Sequence, residues 1–348
     1  MTALNVLVID DSAVVRQVMT ALLGATMTVT TAADPLIAMS KMETRRPDVI
    51  VLDLEMPRMD GLTFLRKLMD ESPLPVVVCS SFTEASSELT MRALQLGAVD
   101  VVLKPKVRVG EQLSDSAIAL IDTVRAAAQA RVGRVRSRTD TSGRQAILPV
   151  RVAAEHPHVI AIGASTGGTE VLKRLLDAMP ADAPPIVIVQ HMPERFTAAF
   201  ARRLNETSAM SVREAAPGDV IQPGTAFIAP GDRHMMLVRQ GRDAIGLALL
   251  DAPLVNRHRP SVDVLFSSAA RTLGGAAAGV LLTGMGRDGA RGLLEMRNAG
   301  ALTIAQDEAS SVVFGMPRAA IELGAAAKVL PAESIAAALL RVARGDND

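Results

Sequence analysis

The sequence predicts an α/β protein, in which a doubly wound five-stranded parallel sheet is followed by a second, mostly parallel α/β domain with an antiparallel insertion. Short apolar runs alternate with helical patterns in both halves of the chain, which is typical of parallel sheets covered by helices. The alternation stops between residues 133 and 158, where Arg, Ser, Thr, Gly and Pro are frequent. With 348 residues and 49% hydrophobic content, each half can bury its own core. We therefore expect a first domain over 1–132, a linker over 133–158 and a second domain over 159–348.

The first domain is predicted to contain five strands with helices between them. The strands are Leu4 to Ile9, Thr26 to Thr31, Val49 to Leu52, Val76 to Ser80 and Val99 to Leu103. Ser12 and Asp60 are suitable helix N-caps, and Pro35 lies near a helix start. One further amphipathic helix is expected over Ser114 to Arg131.

The second domain is predicted to repeat this alternation. Its strands are Val159 to Ile162, Ile186 to Gln190, Gly279 to Thr283 and Leu302 to Ala305. Its helices are Thr169 to Met179, Phe196 to Asn205, Val262 to Leu273, Gly289 to Ala299, and two near Pro317 and Ala332. A stretch rich in Gly and Pro carries short apolar runs at Ala226 to Ala229, His234 to Val238 and Ile245 to Leu249, which indicate the antiparallel insertion.

Composition excludes several classes of protein. Lys and Arg balance Asp and Glu at 37 each, and aromatic residues make up 2% with no Trp or Tyr, so nucleic-acid binding is not expected. No stretch approaches about 20 apolar residues, so we expect no membrane insertion. The only cysteine, Cys79, lies in an apolar run, and no disulfide is possible within the chain. These features fit a soluble protein of a reducing cytoplasm.

Acidic and polar residues end the predicted strands of the first domain. Asp10 and Asp11 lie at the end of the first strand, Asp53 at the end of the third, and Ser80 and Lys104 at the ends of the fourth and fifth. Ligands of open parallel sheets collect at the carboxyl ends of the strands, so these side chains should converge. Three neighbouring carboxylates repel one another, and a hard cation such as Mg²⁺ offsets that repulsion. Lys104 and Ser80 are suited to contact the oxygens of a phosphoryl group on Asp53.

This arrangement resembles the receiver domain of bacterial response regulators. The resemblance implies that Asp53 accepts a phosphoryl group from a sensor histidine kinase, and that Ser80 and Lys104 form the switch pair. It also implies that Asp10, Asp11 and Asp53 hold Mg²⁺ together with the backbone carbonyl of Glu55. The matching segments are Ile9-Asp10-Asp11-Ser12, Asp53-Leu54-Glu55-Met56-Pro57-Arg58-Met59-Asp60-Gly61, Cys79-Ser80-Ser81 and Lys104-Pro105.

A second motif, Gly163-Ala164-Ser165-Thr166-Gly167, fits the G-x-S-x-G pattern of a sharp strand-to-helix turn with an exposed serine. The same turn can cradle a pyrophosphate, so a nicotinamide-dependent oxidoreductase is an alternative. That alternative requires an acid at the end of the next strand, where the sequence has His191 instead.

A nucleophilic serine needs a base, and the base needs an acid that orients it. His191 is the best candidate for the base, with His234 and His258 as alternatives. Asp288, which follows a predicted strand, is the best candidate for the acid, and Asp307 is the second choice. The amides of Met285 and Thr166 are suitable donors for an oxyanion hole.

Over nearly all of its second domain, the chain resembles the chemotaxis-type protein-glutamate methylesterases, which are response regulators with an esterase output domain. The segments that carry the resemblance are Gly163 to Gly168, Gln190-His191-Met192-Pro193, Ala229 to His234, Arg259 to Asp263, Thr283-Gly284-Met285-Gly286 and Phe314-Gly315-Met316-Pro317. The resemblance implies Ser165 as nucleophile, His191 as base, Asp288 as orienting acid and the Met285 amide in the oxyanion hole, with no cofactor in this domain.

The resemblance also implies a substrate and a form of regulation. The family hydrolyses methyl esters of glutamate side chains on the cytoplasmic helices of chemoreceptors and commonly deamidates glutamines there. We hypothesise that the unphosphorylated first domain covers the Ser165 cleft and that phosphorylation of Asp53 weakens this contact. A phosphorylation-regulated binding module without catalysis is the alternative from another class of protein, and it predicts that Ser165 is dispensable.

Overall fold

The computed structural model describes residues 3–81, 83–105, 115–132, 159–241 and 244–343. The chain divides into two compact units, Met1–Arg138 and Thr139–Asp348. The predicted linker over 133–158 lies outside the described residues. Among the described residues, none of the helices combines the length and the apolar character that crossing a bilayer requires.

The first unit is a five-stranded parallel sheet with the strand order β2-β1-β3-β4-β5. This is the doubly wound sheet that the sequence predicts. Its strands are β1 (Asn5–Ile9), β2 (Thr28–Ala32), β3 (Val49–Asp53), β4 (Val76–Ser80) and β5 (Asp100–Leu103). Its helices are α1 (Ala13–Gly24), α2 (Pro35–Thr44), α3 (Gly61–Glu71), α4 (Glu84–Gln95) and α5 (Asp115–Ala128).

Local chemistry explains where these elements begin. The predicted N-caps are confirmed, because the side chain of Ser12 accepts a hydrogen bond from the Val15 amide and that of Asp60 accepts one from the Thr63 amide. Every residue of β3 and β4 is buried, as expected for central strands of a parallel sheet covered on both faces. Because the strands are parallel, the side chains that follow their carboxyl ends lie at one shared edge of the sheet.

The second unit is built on a seven-stranded parallel sheet with the order β14-β13-β12-β6-β7-β9-β8. Its strands are β6 (Val159–Ala164), β7 (Ile186–Gln190), β8 (Ser211–Glu214), β9 (Thr225–Ile228), β12 (Ala277–Leu281), β13 (Leu302–Gln306) and β14 (Lys328–Leu330). Its α-helices are α6 (Gly168–Asp177), α7 (Glu194–Thr207), α8 (Val262–Leu273), α9 (Ala290–Asn298), α10 (Met316–Glu322) and α11 (Ala332–Ala343).

The antiparallel insertion is smaller than the sequence predicts. Strands β10 (His234–Gln240) and β11 (Ala244–Leu250) form an antiparallel hairpin, as expected. The run at Ala226 to Ala229 was expected in the same insertion, but β9 instead pairs in parallel with β7 and β8 in the main sheet. The short strands β8 and β14 were not predicted, because edge strands of three or four residues carry little periodicity.

Helix α8 packs closely against the strand that precedes the serine turn. A Cβ atom built on Gly163 would lie 2.2 Å from Cγ1 of Val262, the first residue of α8. Any larger side chain at position 163 would therefore push the start of this helix away from β6. Glycine at this position brings the amino terminus of α8 beside the carboxyl end of β6.

Candidate functional site

The first unit gathers its acidic residues in one pocket at the carboxyl ends of the strands. The structure brings one carboxylate oxygen each from Asp10, Asp11 and Asp53 within 4.8 Å of one another. Asp10 and Asp53 are buried, whereas Asp11 is exposed. The ammonium of Lys104 lies 2.6 Å from Oδ2 of Asp53 and 3.2 Å from Oδ2 of Asp10.

The electrostatics of this pocket favour a cation. Burial raises the pKa of Asp53, and the Lys104 ammonium counteracts only part of that shift. Burial alone lowers the pKa of Lys104, but the hydrogen bond and the charges of Asp53 and Asp10 outweigh it and raise this pKa overall. Within the described part of the first unit, Oδ2 of Asp10 makes no well-directed hydrogen bond, although Lys104 lies nearby. The pocket holds three carboxylates and only one ammonium. The carboxylate oxygens could therefore serve as ligands of a hard divalent cation.

The structure places Ser80 and Glu55 beside this pocket. Ser80 is the buried last residue of β4, and its hydroxyl accepts a hydrogen bond of 3.1 Å from Thr90 on α4. The Glu55 amide donates to Oδ1 of Asp53 at 3.2 Å, and its carboxylate accepts hydrogen bonds from Ser81 and Ser86. The Glu55 side chain is thus engaged elsewhere, so only the backbone of this residue is available to the pocket.

In the second unit, Ser165 and His191 end two neighbouring strands. Strands β6 and β7 are paired in parallel up to Ala164 and Gln190, and Ser165 and His191 are the next residue on each strand. The His191 amide donates to the Ala164 carbonyl at 3.0 Å. The Gln190 side chain donates to the Ser165 carbonyl at 2.9 Å and to the His191 carbonyl at 3.3 Å. The register of the sheet and this amide therefore hold the two residues side by side.

The backbone around Ser165 is crowded. The Ser165 amide donates to the Thr283 carbonyl at 3.0 Å, and a Cβ atom built on Gly284 would lie 2.6 Å from the Ser165 Cβ. Gly167 has a φ of 77°, which brings the chain from the serine directly into α6. This sharp turn matches the strand-to-helix turn that the G-x-S-x-G pattern predicts, but the predicted exposure of the serine is wrong, because Ser165 is only 8% exposed.

His191 and Asp288 form a direct hydrogen bond. Nε2 of His191 lies 2.8 Å from Oδ2 of Asp288, and both side chains are almost fully buried. Nδ1 of His191 is also buried and has no hydrogen-bond partner among the residues that the structure describes. Because Nε2 is engaged by Asp288, Nδ1 is the ring nitrogen that can act as a general base, although the Ser165 hydroxyl makes no hydrogen bond to it within the described part of the second unit.

Both carboxylate oxygens of Asp288 accept several hydrogen bonds. Its Oδ2 accepts from His191 and the Val262 amide, and its Oδ1 accepts from Asn256, the Ser261 hydroxyl and, at 3.3 Å, the Asp263 amide. Burial alone raises the pKa of Asp288, but these hydrogen bonds outweigh it and hold the pKa well below its usual range. Two of the amides open α8, where the helix dipole favours a negative charge. Asp288 is therefore an ionised partner for His191.

The alternative base and acid residues have other roles. His234 is buried, its Nδ1 accepts a hydrogen bond from the Ser261 amide and its Nε2 lies 3.0 Å from the Pro253 carbonyl, so both ring nitrogens are engaged. Asp307 accepts hydrogen bonds from the amide and hydroxyl of Ser310. Neither residue joins the His191–Asp288 pair.

The candidate oxyanion donors lie next to the serine. Thr166 follows Ser165 directly, is buried, and accepts a hydrogen bond from the Thr283 hydroxyl through its carbonyl. Met285 follows Gly284, and its amide has no hydrogen-bond acceptor among the described residues. The acid that a dinucleotide site needs after β7 is absent, because Gln190 and His191 occupy that strand end.

Sequence reasoning missed the surroundings of the pair. His258 stacks on His191 with ring centroids 3.7 Å apart and an angle of 9° between the planes. The sequence predicts His258 only as an alternative base. Asn256, which donates to Asp288, was not predicted as part of the site, and Ser261, which also donates, was predicted only as part of the segment Arg259 to Asp263. For Asn256, proximity in sequence to His258 was the available signal.

The buried stack makes the stability of the second unit depend on pH. Burial, and then repulsion by His191, lowers the pKa of His258 from 6.5 to about 3. Between these values the unfolded chain binds more protons than the folded chain, so stability falls as the pH falls. We expect the free energy of unfolding to drop between pH 7 and pH 5 by about 2 kcal/mol more in the unchanged chain than in His258→Phe, which keeps a flat ring without a titrating group.

Denaturant unfolding of both proteins, followed by circular dichroism because the chain has no Trp, measures this difference. Titrating groups that do not contact His258 are present in both proteins and cancel in the comparison. Equal losses of stability in the two proteins would contradict the prediction.

Comparison with known proteins finds a different family for each of the two units. Residues 160–339 match the CheB methylesterase family, and residues 6–111 match the response regulator receiver domain. The chain is 54% identical to protein-glutamate methylesterase/protein-glutamine glutaminase 5 of Anaeromyxobacter dehalogenans over 98% of this chain and 97% of that protein. It is 52% identical to the protein of the same name numbered 2 from Rhodospirillum rubrum, over 97% of this chain and 98% of that protein.

A solved structure matches the second unit. The crystal structure of the Thermotoga maritima CheB methylesterase catalytic domain superimposes with a TM-score of 0.52 and 40% sequence identity. The match covers 53% of this chain and 98% of that domain.

Proposed function

Since the chain belongs to the CheB methylesterase family and carries a receiver domain, we propose that it is a phosphorylation-regulated serine hydrolase acting through Ser165, His191 and Asp288. As a member of this family the chain is a protein-glutamate methylesterase, and the relatives' names add a protein-glutamine glutaminase activity. The observation that carries the proposed triad is the buried 2.8 Å hydrogen bond between His191 and Asp288, next to the serine turn.

The proposed reaction has two halves. In the first, the Ser165 oxygen attacks the ester carbonyl of a methylated glutamate side chain while Nδ1 of His191 takes the hydroxyl proton. The acyl–oxygen bond breaks, methanol leaves with that proton, and the glutamyl group stays on Ser165. In the second, water attacks this ester with the help of His191 and releases the free glutamate. A glutamine side chain follows the same route with ammonia as leaving group.

The surroundings of the pair suit this proton transfer. During each attack His191 becomes positively charged, and the ionised Asp288 at the start of α8 stabilises that charge. The negative oxygen that develops on the carbonyl carbon needs donors, and the amides of Met285 and Thr166 beside the serine are the proposed pair.

The acidic pocket supports the regulatory half of the proposal. Asp53 is the proposed phospho-acceptor, and Asp10, Asp11, Asp53 and the Glu55 carbonyl are the proposed ligands of Mg²⁺. When bound, the ion would supply positive charge to the phosphoryl oxygens. Lys104 is close enough to Asp53 to neutralise one of these oxygens, and Ser80 is the proposed hydroxyl donor. The proposed phosphodonor is a sensor histidine kinase.

The proposed substrates are methylated glutamates on the cytoplasmic helices of chemoreceptors, which places the proposed reaction in the cytoplasm and in chemotactic adaptation. Release of methanol from methylated receptor fragments, with the unmethylated fragments as control, tests this directly. We expect methanol from the methylated fragments alone. Absence of release both with and without a small phosphodonor would contradict the methylesterase activity.

Phosphorylation should raise this activity through Asp53. We expect a small phosphodonor to increase methanol release by the unchanged chain about 5- to 150-fold, which corresponds to a coupling of about 1 to 3 kcal/mol. Asp53→Asn should keep the basal rate and lose the increase, because the amide cannot accept the phosphoryl group. Asp70→Asn, an exposed carboxylate on α3, is the matched control and should respond like the unchanged chain.

The same measurement distinguishes two ways of failing. If Asp53→Asn is still activated, the phospho-acceptor is misassigned. If no variant responds to phosphorylation while basal release persists, the receiver unit does not inhibit the esterase unit as we propose.

A further inference from the structure

A turn with unusual backbone geometry lies beside the His191–Asp288 pair. The amide of Val255 donates to the His258 carbonyl at 3.1 Å, and the His258 amide donates to the Val255 carbonyl at 2.9 Å. The two residues between them, Asn256 and Arg257, have φ values of 52° and 66°. This left-handed backbone favours glycine and, among the other residues, asparagine, and non-glycine residues held in it cluster at functional sites.

The Asn256 side chain connects two carboxylates. Its Nδ2 lies 2.7 Å from Oδ1 of Asp288 and 2.7 Å from Oδ2 of Asp263. The other oxygen of Asp263 accepts a hydrogen bond of 2.7 Å from the Gly292 amide. One primary amide, with two N–H groups, thus fixes Asp288 against a second carboxylate that is itself anchored to α9.

The same turn holds the other partner of the pair. His258 ends the turn, and its ring covers one face of the His191 imidazole. The turn therefore contacts Asp288 through one residue and His191 through another. A displacement of the turn would change the geometry of both members of the hydrogen bond.

We propose that Asn256 is a positioning residue of the reaction, which fixes the Asp288 carboxylate so that the His191 ring presents Nδ1 to Ser165. This inference rests on the proposed function of the Ser165 site and assigns to the reaction a residue outside the triad. Without the amide, Oδ1 of Asp288 keeps only the Ser261 hydroxyl and the long contact to the Asp263 amide. The carboxylate is then held less firmly, by Ser261 and the amides of Val262 and Asp263, and the ring that is bonded to Oδ2 can shift with it.

The turn offers a matched pair of variants. Asn256→Gly removes the amide and suits the left-handed backbone, so the turn should persist. Arg257→Gly places glycine at the neighbouring left-handed position and leaves the amide in place. In the full chain with methylated receptor fragments, we expect Asn256→Gly to lower kcat by about 10- to 100-fold with little change in KM, and Arg257→Gly to keep kcat within about twofold.

A spectroscopic measurement reads the positioning directly. The proton on Nε2 of His191, bonded to Asp288, should give a low-field proton resonance in the unchanged chain and in Arg257→Gly. We expect this resonance to shift or to be lost through exchange in Asn256→Gly. Because it reports the hydrogen bond itself, its result holds even if the chain releases no methanol, which separates failure of this inference from failure of the proposed function.

A double variant tests the main alternative, that Asn256 serves only to neutralise the buried Asp263. In Asn256→Gly with Asp263→Asn, the second charge is removed while Asp288 still lacks its donor. We expect kcat to stay low in the double variant. Recovery of kcat to the level of Arg257→Gly would overturn the inference, and so would an unchanged kcat and resonance in the single variant Asn256→Gly.

Discussion

Replacing Ser165 by alanine is expected to lower kcat for methanol release by about 10⁴-fold or more, because the acyl-enzyme route loses its nucleophile. The remaining groups can still bind the ester and polarise its carbonyl, so a small residual rate above the uncatalysed reaction should persist. This result separates the hydrolase from a phosphorylation-regulated binding module, for which residue 165 is dispensable.

The fold should tolerate this change. The hydrogen bonds that fix residue 165 are made by its backbone, to Thr283, Gly168 and Gln190, and none of them needs the hydroxyl. We expect the free energy of unfolding to change by less than about 1 kcal/mol. Ser267→Ala, on α8 in the same unit, is the control and should keep full activity. Activity of Ser165→Ala close to that of Ser267→Ala would exclude the serine as nucleophile.

The positions of the residues of both sites could be predicted because the carboxyl ends of parallel strands lie at the same edge of a sheet. Asp53 and Ser80 are the last residues of β3 and β4, and Lys104 follows β5, so their convergence follows once the strands are recognised. The same reasoning puts Ser165 and His191 side by side, since they directly follow β6 and β7. Short apolar runs of four to six residues were sufficient for these predictions.

The choice between Asp288 and Asp307 required the strand order. Both residues follow strands of the same sheet, and the sequence does not tell which strand lies beside the serine. In the structure β12 pairs with β6, whereas β13, which precedes Asp307, is one strand farther away. Asp288 therefore reaches His191, and Asp307 caps a local turn around Ser310.

The groups that orient the pair were beyond sequence reasoning for a different reason. Asn256 and His258 lie in a loop whose backbone turns through two left-handed residues that are not glycine. Neither propensity nor periodicity predicts such a turn, because its geometry depends on the contacts that it makes with Asp288, Asp263 and His191. The predicted antiparallel pairing of β9 was wrong for a related reason. An apolar run of four residues does not indicate which strand it will pair with.

Asp288→Asn is expected to lower kcat by about 10⁴-fold, although the substitution keeps the size and shape of the side chain. Each carboxylate oxygen accepts at least two hydrogen bonds, Oδ2 from His191 and the Val262 amide, and Oδ1 from Asn256 and the Ser261 hydroxyl. An asparagine amide group, in either orientation, would therefore face donors with its own N–H groups.

Two consequences follow for His191. The ring loses the acceptor that keeps the proton on Nε2, so the tautomer with a free Nδ1 is no longer favoured. The positive charge that develops on the ring also loses its ionised neighbour. We expect the free energy of unfolding to fall by about 1–3 kcal/mol as well, because buried donors remain unpaired.

Asp307→Asn is the matched control, since this residue follows the adjacent strand and was the other candidate for the acid. Its bonds to Ser310 can still be accepted by an amide oxygen, so we expect nearly full activity from it. Steady-state rates of methanol release, measured below the unfolding temperature of each variant, decide between the two residues. A kcat for Asp288→Asn within about tenfold of the unchanged chain would show that this carboxylate does not orient the base, because loss of the correct tautomer costs far more.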